Sequence, residues 1–352
     1  MDRYRLGFDP AQWPWQESHM KNVLLVDLVD GENRFVIRPI DMAEPGPGEV
    51  RYQVHAIGLN RADLLYLNGG HYTPTMLPSR VGFEACGIVT SVGEGVTACK
   101  PGDRVTAIPH GDPKYSVGGE FAITPAQYLA PWPEGYSAAE AAGAWMQYLT
   151  AYFPLKEIAK VGPGDAILVT AASSSAGLGG IQLGKLLGAR VVASTRSAAK
   201  RDFLLGAGAD HVVVMDEGDV SGQIMAATGG RGVRAVYEAV AGKFFYDYAE
   251  ALAPGAQIFV YGAMSGTPTI EIPIVPFIRV GAQIQLYSLI NYLRGVDAVD
   301  RSRLFVGLAM QAGAIRPIID KVFKFEDALD AYAYMESGDQ KGKIVLETQF
   351  AR

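Results

Sequence analysis

Asp165-Ala-Ile-Leu-Val-Thr170 runs straight into Ala171-Ala-Ser-Ser-Ser-Ala-Gly177, and a helix-length spacer leads on to Arg190-Val-Val-Ala-Ser-Thr195. An apolar strand, a turn of small residues, a helix and a second strand make one βαβ unit. Small residues at such a turn let a phosphate approach the exposed N–H groups of a helix start. Ala172, Ser174 and Gly177 hold the three positions that are glycines in the common dinucleotide fingerprint, so two of the three are substituted. The expected cofactor contacts are Ser173, Ser174, Ser175, Ala176, Gly177 and Leu178. Their serines either donate to phosphate oxygens or simply cap the helix.

The end of the second strand bears on the cofactor type. An acid about 20 residues past the turn accepts the ribose hydroxyls of NAD and repels a 2′-phosphate. Eighteen residues beyond Gly177 stands Thr195, followed by Arg196 and, four further on, Lys200. An arginine fork and a lysine point charge suit a phosphate. NADPH is therefore the expected cofactor, with two solvated surface cations as the alternative.

Downstream, strands at 166–170, 190–195, 211–215, 235–239 and 257–261 alternate with helix-like segments, which predicts a parallel sheet covered by helices. Residues 283–289 offer a sixth strand, 325–335 a helix and 343–347 a last strand. Upstream, short strands at 23–28, 35–40, 50–57, 87–92 and 104–108, punctuated by turns such as Glu44-Pro-Gly-Pro-Gly-Glu49, predict a barrel or sandwich. Ser137-Ala-Ala-Glu140 is a capping-box pattern before an alanine-rich helix running towards Tyr152. Residues 1–20, with Trp13, Trp15 and a closing Ser18-His19-Met20, read as an expression leader or a native arm and stand outside the fold argument.

Composition narrows the class. With 49% hydrophobic and 19% charged residues in 352, the chain has ample core for two domains. A net charge of −6 gives no electrostatic reason to expect nucleic acid. Two cysteines, Cys86 and Cys99, exclude a disulfide framework and indicate a reducing, cytoplasmic setting. No apolar run is long enough to span a membrane.

Further motifs fall in a specific order: Gly58-Leu-Asn-Arg-Ala-Asp63, Val81-Gly-Phe-Glu-Ala-Cys-Gly-Ile-Val89, Pro101-Gly-Asp-Arg-Val105, Leu149-Thr-Ala-Tyr152, Leu187-Gly-Ala-Arg-Val191, Gly206-Ala-Gly-Ala-Asp210 and Gly342-Lys-Ile-Val-Leu346. With the serine-rich turn, they resemble the zinc-free quinone oxidoreductase and enoyl reductase branch of the medium-chain dehydrogenase/reductase superfamily. The resemblance implies an α/β chain in which a GroES-like β-barrel catalytic domain (21–145 and 290–352) flanks a Rossmann doubly wound parallel-sheet domain (146–289). Zinc members carry a Cys in the segment matching Asn60-Arg-Ala-Asp63 and a His before the glutamate of Gly82-Phe-Glu84; this chain has neither, and lacks the four-cysteine lobe. No metal is therefore expected.

The resemblance implies an NADPH-dependent reductase that delivers hydride to quinones or α,β-unsaturated carbonyls such as enones and enals. Its alternatives are an enoyl thioester reductase acting on CoA or carrier-protein substrates, and a cofactor-binding sensor or structural protein with little turnover. Asn60 and Asp63 match a polar pair near the nicotinamide, or else order their loop. Tyr66 and Tyr72 are phenolic candidates, and in Gly69-Gly-His-Tyr72 either His71 or Tyr72 fills the place of a family tyrosine. Thr150 and Lys343 match cofactor-proximal positions, while Val240, Tyr261 and Gly262 end strands at the sheet's carboxyl edge. A homodimer through the edge strand 283–289 is also expected. Tyr152-Phe-Pro-Leu-Lys156 fits a short-chain reductase spacing, but Pro154 is expected to interrupt the required helix. Cys86 is expected to be a buried thiol.

Overall fold

In this computed structural model the described residues are 20–267 and 269–351. Apart from Met20, the leader or arm expected at residues 1–20 lies outside them. The chain forms two compact units. The first takes residues up to Gly143 together with 321–339 and 344–352, and the second takes 144–320 and 340–343.

The first unit is built on strands β1 (Met20–Val29), β2 (Glu32–Asp41), β3 (Glu49–Gly58), β4 (Ser79–Arg80), β5 (Glu84–Val92), β6 (Arg104–Ala107), β7 (Phe121–Pro125) and β8 (Leu129–Pro131), with helices α1 (Arg61–Leu67) and α2 (Ala138–Ala142). β1 pairs antiparallel with β2 and β4. β3 pairs antiparallel with β5 and β7, and β5 continues through β6 to β8. Tyr52, Val54 and Ile57 on β3 and Ala85 on β5 are fully buried, and each large apolar side chain so placed contributes about 1.5–3 kcal/mol. α2 begins at the expected capping box: Ser137 Oγ accepts from Glu140 N at 3.2 Å and the Glu140 carboxylate accepts from Ser137 N at 2.8 Å.

The helix expected to run on to Tyr152 instead stops at Gly143, which caps α2 by donating to Ala139 O, and restarts as α3 (Trp145–Tyr152). Pro154 does not break the chain's helical course beyond α3. Residues Phe153–Ile158 widen into a π-turn in which Ala159 N donates to Pro154 O at 2.9 Å. A wide turn accommodates a residue with no N–H of its own.

The second unit carries β9 (Ala166–Val169), β10 (Arg190–Thr195), β11 (His211–Val214), β12 (Val233–Glu238), β13 (Leu252–Val260) and β14 (Gln283–Leu286), with α4 (Ser175–Leu186) after β9. All pair in parallel in the order β11-β10-β9-β12-β13-β14. This is a doubly wound sheet whose direction of winding reverses between β9 and β12. The sixth strand is shorter than 283–289, because Leu289 opens a short helix. Helix Val296–Gln311 falls in the second unit, a correction to the expectation that 290–352 belongs to the barrel domain. Its Phe305 ring lies 5.3 Å from that of Tyr152 on α3, and its Arg301 pairs with Glu157 at 3.3 Å, so it buries its apolar face there.

The chain then returns. Strand β15 (Ile319–Lys324), which no sequence pattern announced, pairs with β16 (Lys343–Glu347), and β16 joins β3. Helix Ala328–Ser337 sits between them, and its Tyr332 stacks on Phe35 with ring centres 4.1 Å apart.

Candidate functional site

The switch point of the parallel sheet gathers a backbone-rich site. β9 ends at Val169, and the chain turns through Thr170 and Ala171, the latter held at φ +45°, into α4. Gly177 is required where α4 meets the strand end: a Cβ there would lie 2.7 Å from Ala171 O and from Ala172 Cα and O. Ser174 is the N-cap, its Oγ accepting from Gly177 N at 3.1 Å. Ser175 and Ala176 open the first turn with their N–H groups towards the helix start. Leu178 is buried in the core, so any contact it makes with a ligand is through its backbone.

Lys200 belongs to this site directly. Its Nζ donates to Ser173 Oγ at 3.0 Å and to Gln340 O at 3.2 Å, and Ser174 bridges to Gly342. Ser173, Lys200 and residues 340–342, distant in sequence, therefore meet at one helix N-terminus. Thr195 is nearly buried at the end of β10 and Arg196 beside it is exposed. Lys343 is buried, with its N–H on Ile318 O at 2.8 Å. Thr150 is mostly buried on α3 and donates to Met146 O at 2.5 Å.

Across the switch point, Glu238 ends β12 fully buried, a residue that the sequence patterns did not single out. Its Oε1 accepts from Val240 N at 2.5 Å, Ala241 N at 3.0 Å and Thr170 Oγ1 at 3.1 Å, while Thr170 Oγ1 accepts from Ala239 N at 2.7 Å. This knot ties the ends of β9 and β12 and fixes Val240 in place. Burial pushes the Glu238 carboxyl up from its ordinary range, against the pull of those hydrogen bonds. The available signal was an acid ending the short run Ala235-Val-Tyr-Glu238. Tyr261 stacks on Tyr237 at 4.1 Å, and Gly262 passes close to Ala239, where a Cβ would lie 2.9 Å from its carbonyl oxygen. Free N–H groups, a lysine and glycine-permitted close approach fit a dinucleotide pyrophosphate at this helix start.

A second region lies wholly in the first unit: a cleft whose wall includes Asp63, Tyr66, His71, Arg80, His110 and Tyr115. Asn60 and Asp63 form a capping box on α1, with Asn60 N donating to Asp63 Oδ2 at 3.0 Å and Asn60 Nδ2 to Gly58 O at 3.0 Å and Glu84 Oε1 at 3.3 Å. Asp63 Oδ1 accepts from Gly82 N at 3.3 Å. The Tyr66 hydroxyl bonds Ser79 Oγ at 2.9 Å and accepts from Met76 N at 2.9 Å. Tyr72 is 64% exposed and lies on the His71 ring at 4.0 Å.

His71 Nδ1 accepts from Thr73 N at 3.1 Å and His110 Nδ1 from Asp112 N at 3.4 Å, which assigns the proton of each neutral ring to Nε2. Burial lowers the basicity of both, that of His110 to about 4. The wall at 112–116 is pinned by Glu49, which accepts from Tyr115 Oη at 2.6 Å and Lys114 Nζ at 2.7 Å and whose carboxyl these partners hold down at about 2. Cys86 is buried, donating to Ala138 O at 3.2 Å, and burial pushes its thiol up. Among the described residues there is no group of three or more His, Cys, Asp or Glu side chains able to hold a metal ion, and no helix long and apolar enough to cross a membrane.

Comparison with known proteins yields a consistent set of likenesses. Residues 46–163 match the alcohol dehydrogenase GroES-like domain and residues 176–301 the zinc-binding dehydrogenase family. The chain is 31% identical over 312 residues to quinone oxidoreductase-like protein 2 of Bos taurus, covering 88% of each. It is 29% identical to a 2-haloacrylate reductase of a Burkholderia species, over 91% of this chain and 96% of the relative. The solved structure of Escherichia coli quinone oxidoreductase complexed with NADPH superposes with a TM-score of 0.80 at 26% identity, over 93% of this chain and 99% of that one.

Proposed function

We propose that this chain, which belongs to the quinone oxidoreductase and enoyl reductase branch of the medium-chain dehydrogenase/reductase superfamily, is an NADPH-dependent reductase of quinones or α,β-unsaturated carbonyls that works without a metal. The observation that carries the proposal is Lys200 on Ser173 at the N-terminus of α4, next to a β10 end that bears Thr195 and Arg196 in place of an acid. In this role the N–H groups of Ser175 and Ala176 hold the pyrophosphate, and Lys200 and Arg196 hold the 2′-phosphate. When bound, the reduced nicotinamide supplies a hydride, and quinones and conjugated carbonyls are electrophilic enough to take it without a Lewis acid. Zinc independence is supported by the residues themselves, since Asn60-Arg-Ala-Asp63 and Phe83 stand where zinc members place Cys and His.

In the proposed mechanism the chain positions and polarises rather than exchanging covalent bonds. Glu238 and Thr170 hold the backbone of 239–241, and Thr150, Tyr261, Gly262 and Lys343 complete the cofactor's surroundings. Asn60, Asp63 and Tyr66 act by holding the cleft's shape, because their polar atoms bond to neighbouring chain, and Tyr72 keeps its hydroxyl for the acceptor. A homodimer in the cytoplasm belongs to the same proposal. Its support is exposed Leu286 on the edge strand β14, together with Ile274 and Ile278, which are exposed on the helix Ile274–Val280 that precedes it. Steady-state assays pairing NADPH and NADH with 1,4-benzoquinone, an alkenal and crotonyl-CoA test the proposal. Turnover with NADPH that survives chelation is expected. A preference for NADH, or activity lost to a chelator, overturns the corresponding part.

A further inference from the structure

We propose that the cleft of the first unit anchors a carboxylate at Arg80, so that the preferred acceptor is an α,β-unsaturated carbonyl compound carrying a negative charge. The proposal rests on the reductase reading for the reaction, but the residues that support it are independent of the cofactor site.

Arg80 lies at the end of the two-residue strand β4 and forms part of the cleft wall. Its Nε donates to Gly118 O at 2.9 Å, its Nη2 donates to Phe121 O, and the guanidinium sits over the Phe121 ring at 5.1 Å. These are neutral partners. Among the described residues no ion pair includes Arg80, and its hydrogen bonds there come from Nε and Nη2, not Nη1. Arg80 is half-buried on this wall, and taking even part of a cation out of water without a counter-charge is costly. Burial accordingly brings the guanidinium down to about 10, a loss only opposed by the nearby Tyr52 phenol.

The neighbouring acids are committed elsewhere. Asp63 gives its oxygens to Asn60 N and Gly82 N, and Glu120 to Asn22 N and Gln349 Nε2. Glu49 is held by Lys114 and Tyr115, and Asp112 accepts from Lys114 N. The two imidazoles on the wall, His71 and His110, are neutral near pH 7 and present Nε2–H donors. What Arg80 lacks on this wall is a negative partner within ion-pair distance, since Asp63 and Asp112 turn to backbone N–H groups instead. A carboxylate supplies it in the planar, two-oxygen form that a guanidinium binds best. A neutral quinone uses the imidazole donors but leaves Arg80 without a counter-charge. The carboxylate is bound and not altered.

The test uses 3-benzoylacrylate and its methyl ester, the same enone with and without the charge, and follows NADPH oxidation by the full chain. In the wild type the acid's kcat/KM should exceed the ester's by about tenfold, the worth of one charge-assisted hydrogen bond. That advantage should shrink as ionic strength rises. Arg80→Gln should abolish it, chiefly through KM, while leaving the ester within about twofold of wild type; Arg80→Lys should keep part of it. Equal kcat/KM for acid and ester in the wild type overturns the proposal. So does an Arg80→Gln variant that loses acid and ester alike, which marks Arg80 as a strap for residues 118–121 only. Calorimetric titration of both compounds into the wild type decides the matter even without turnover. Tighter binding of the acid supports the anion site while the absence of turnover sinks the reductase reading, and equal or no binding sinks the anion site.

Discussion

The turn after β9 and the turn into α1 look alike in sequence, as short polar stretches next to a helix start, yet they behave differently. At residues 171–177 the polar groups stay at the site: Ser174 caps α4, and Ser173 holds Lys200 in place. At 60–66 they are spent on the fold, with Asn60 and Asp63 closing a capping box and the Tyr66 hydroxyl bound to Ser79 and Met76. The difference lies in what makes each site. A phosphate cradle is built of backbone, so small residues reveal it. A cleft wall is built of side chains, and whether one is free depends on partners far away in the sequence.

The sharpest way to break the comparison is to remove the backbone freedom on which the first region depends. In Gly177→Ala the new Cβ meets three backbone atoms at 2.7 Å, so α4 must shift from β9. We expect a stability loss of about 1–3 kcal/mol by denaturant titration. NADPH affinity should fall about 100-fold or more by calorimetry. Unchanged binding would show that the helix start does not contact the cofactor. Next in size, Lys200→Ala with Arg196→Ala should raise KM for NADPH about 10- to 100-fold, as expected for lost charge-assisted bonds to a phosphate, and leave KM for NADH within about twofold. Equal effects on both would reduce the two residues to surface cations.

Legibility in the sequence divides along the same line. The parallel strands were legible because each is a short β-branched or apolar run bounded by Gly, Pro or a helix signal, and 190–195 matches β10 residue for residue. Helix Val296–Gln311 was misassigned because its residence in the second unit is set by Phe305 and Arg301 meeting Tyr152 and Glu157, pairings that no local pattern encodes. Glu238 was overlooked for a related reason. Its role requires Thr170, 68 residues away. The break at Gly143 and the π-turn at Pro154 are local, but the first needed a cap at an unremarkable glycine and the second a tolerance of proline that simple helix rules omit.

The third test addresses the cleft through pH. His110 is held near 4 in the folded chain, mainly by burial, against about 6.5 when unfolded. As pH falls, the unfolded state therefore takes up the proton first. The stability contributed by the neutral ring is fully present above pH 6.5 and is lost as pH drops from there towards 4. Denaturant midpoints measured across that window should fall in the wild type and fall less steeply in His110→Gln. Parallel slopes would mean that the ring is solvated and the wall at 110–116 is open.

The smallest effects should separate the two phenols of the cleft. Tyr66→Phe removes a hydroxyl that accepts from Met76 N and bonds Ser79, so it should cost about 1 kcal/mol of stability. Its effect on kcat should be under about twofold, because the loop at 75–79 loses an anchor but the acceptor loses no contact. Tyr72→Phe should do the reverse. Its side chain is 64% exposed and packs on His71, so stability should hardly change, whereas a hydroxyl that bonds the acceptor is worth about 1 kcal/mol, or a several-fold drop in kcat/KM. If Tyr66→Phe is the variant that loses turnover, then a side chain with structural partners also serves the acceptor. The contrast between a backbone-built site and a cleft whose polar groups are spent on the fold would then fail at its most specific point.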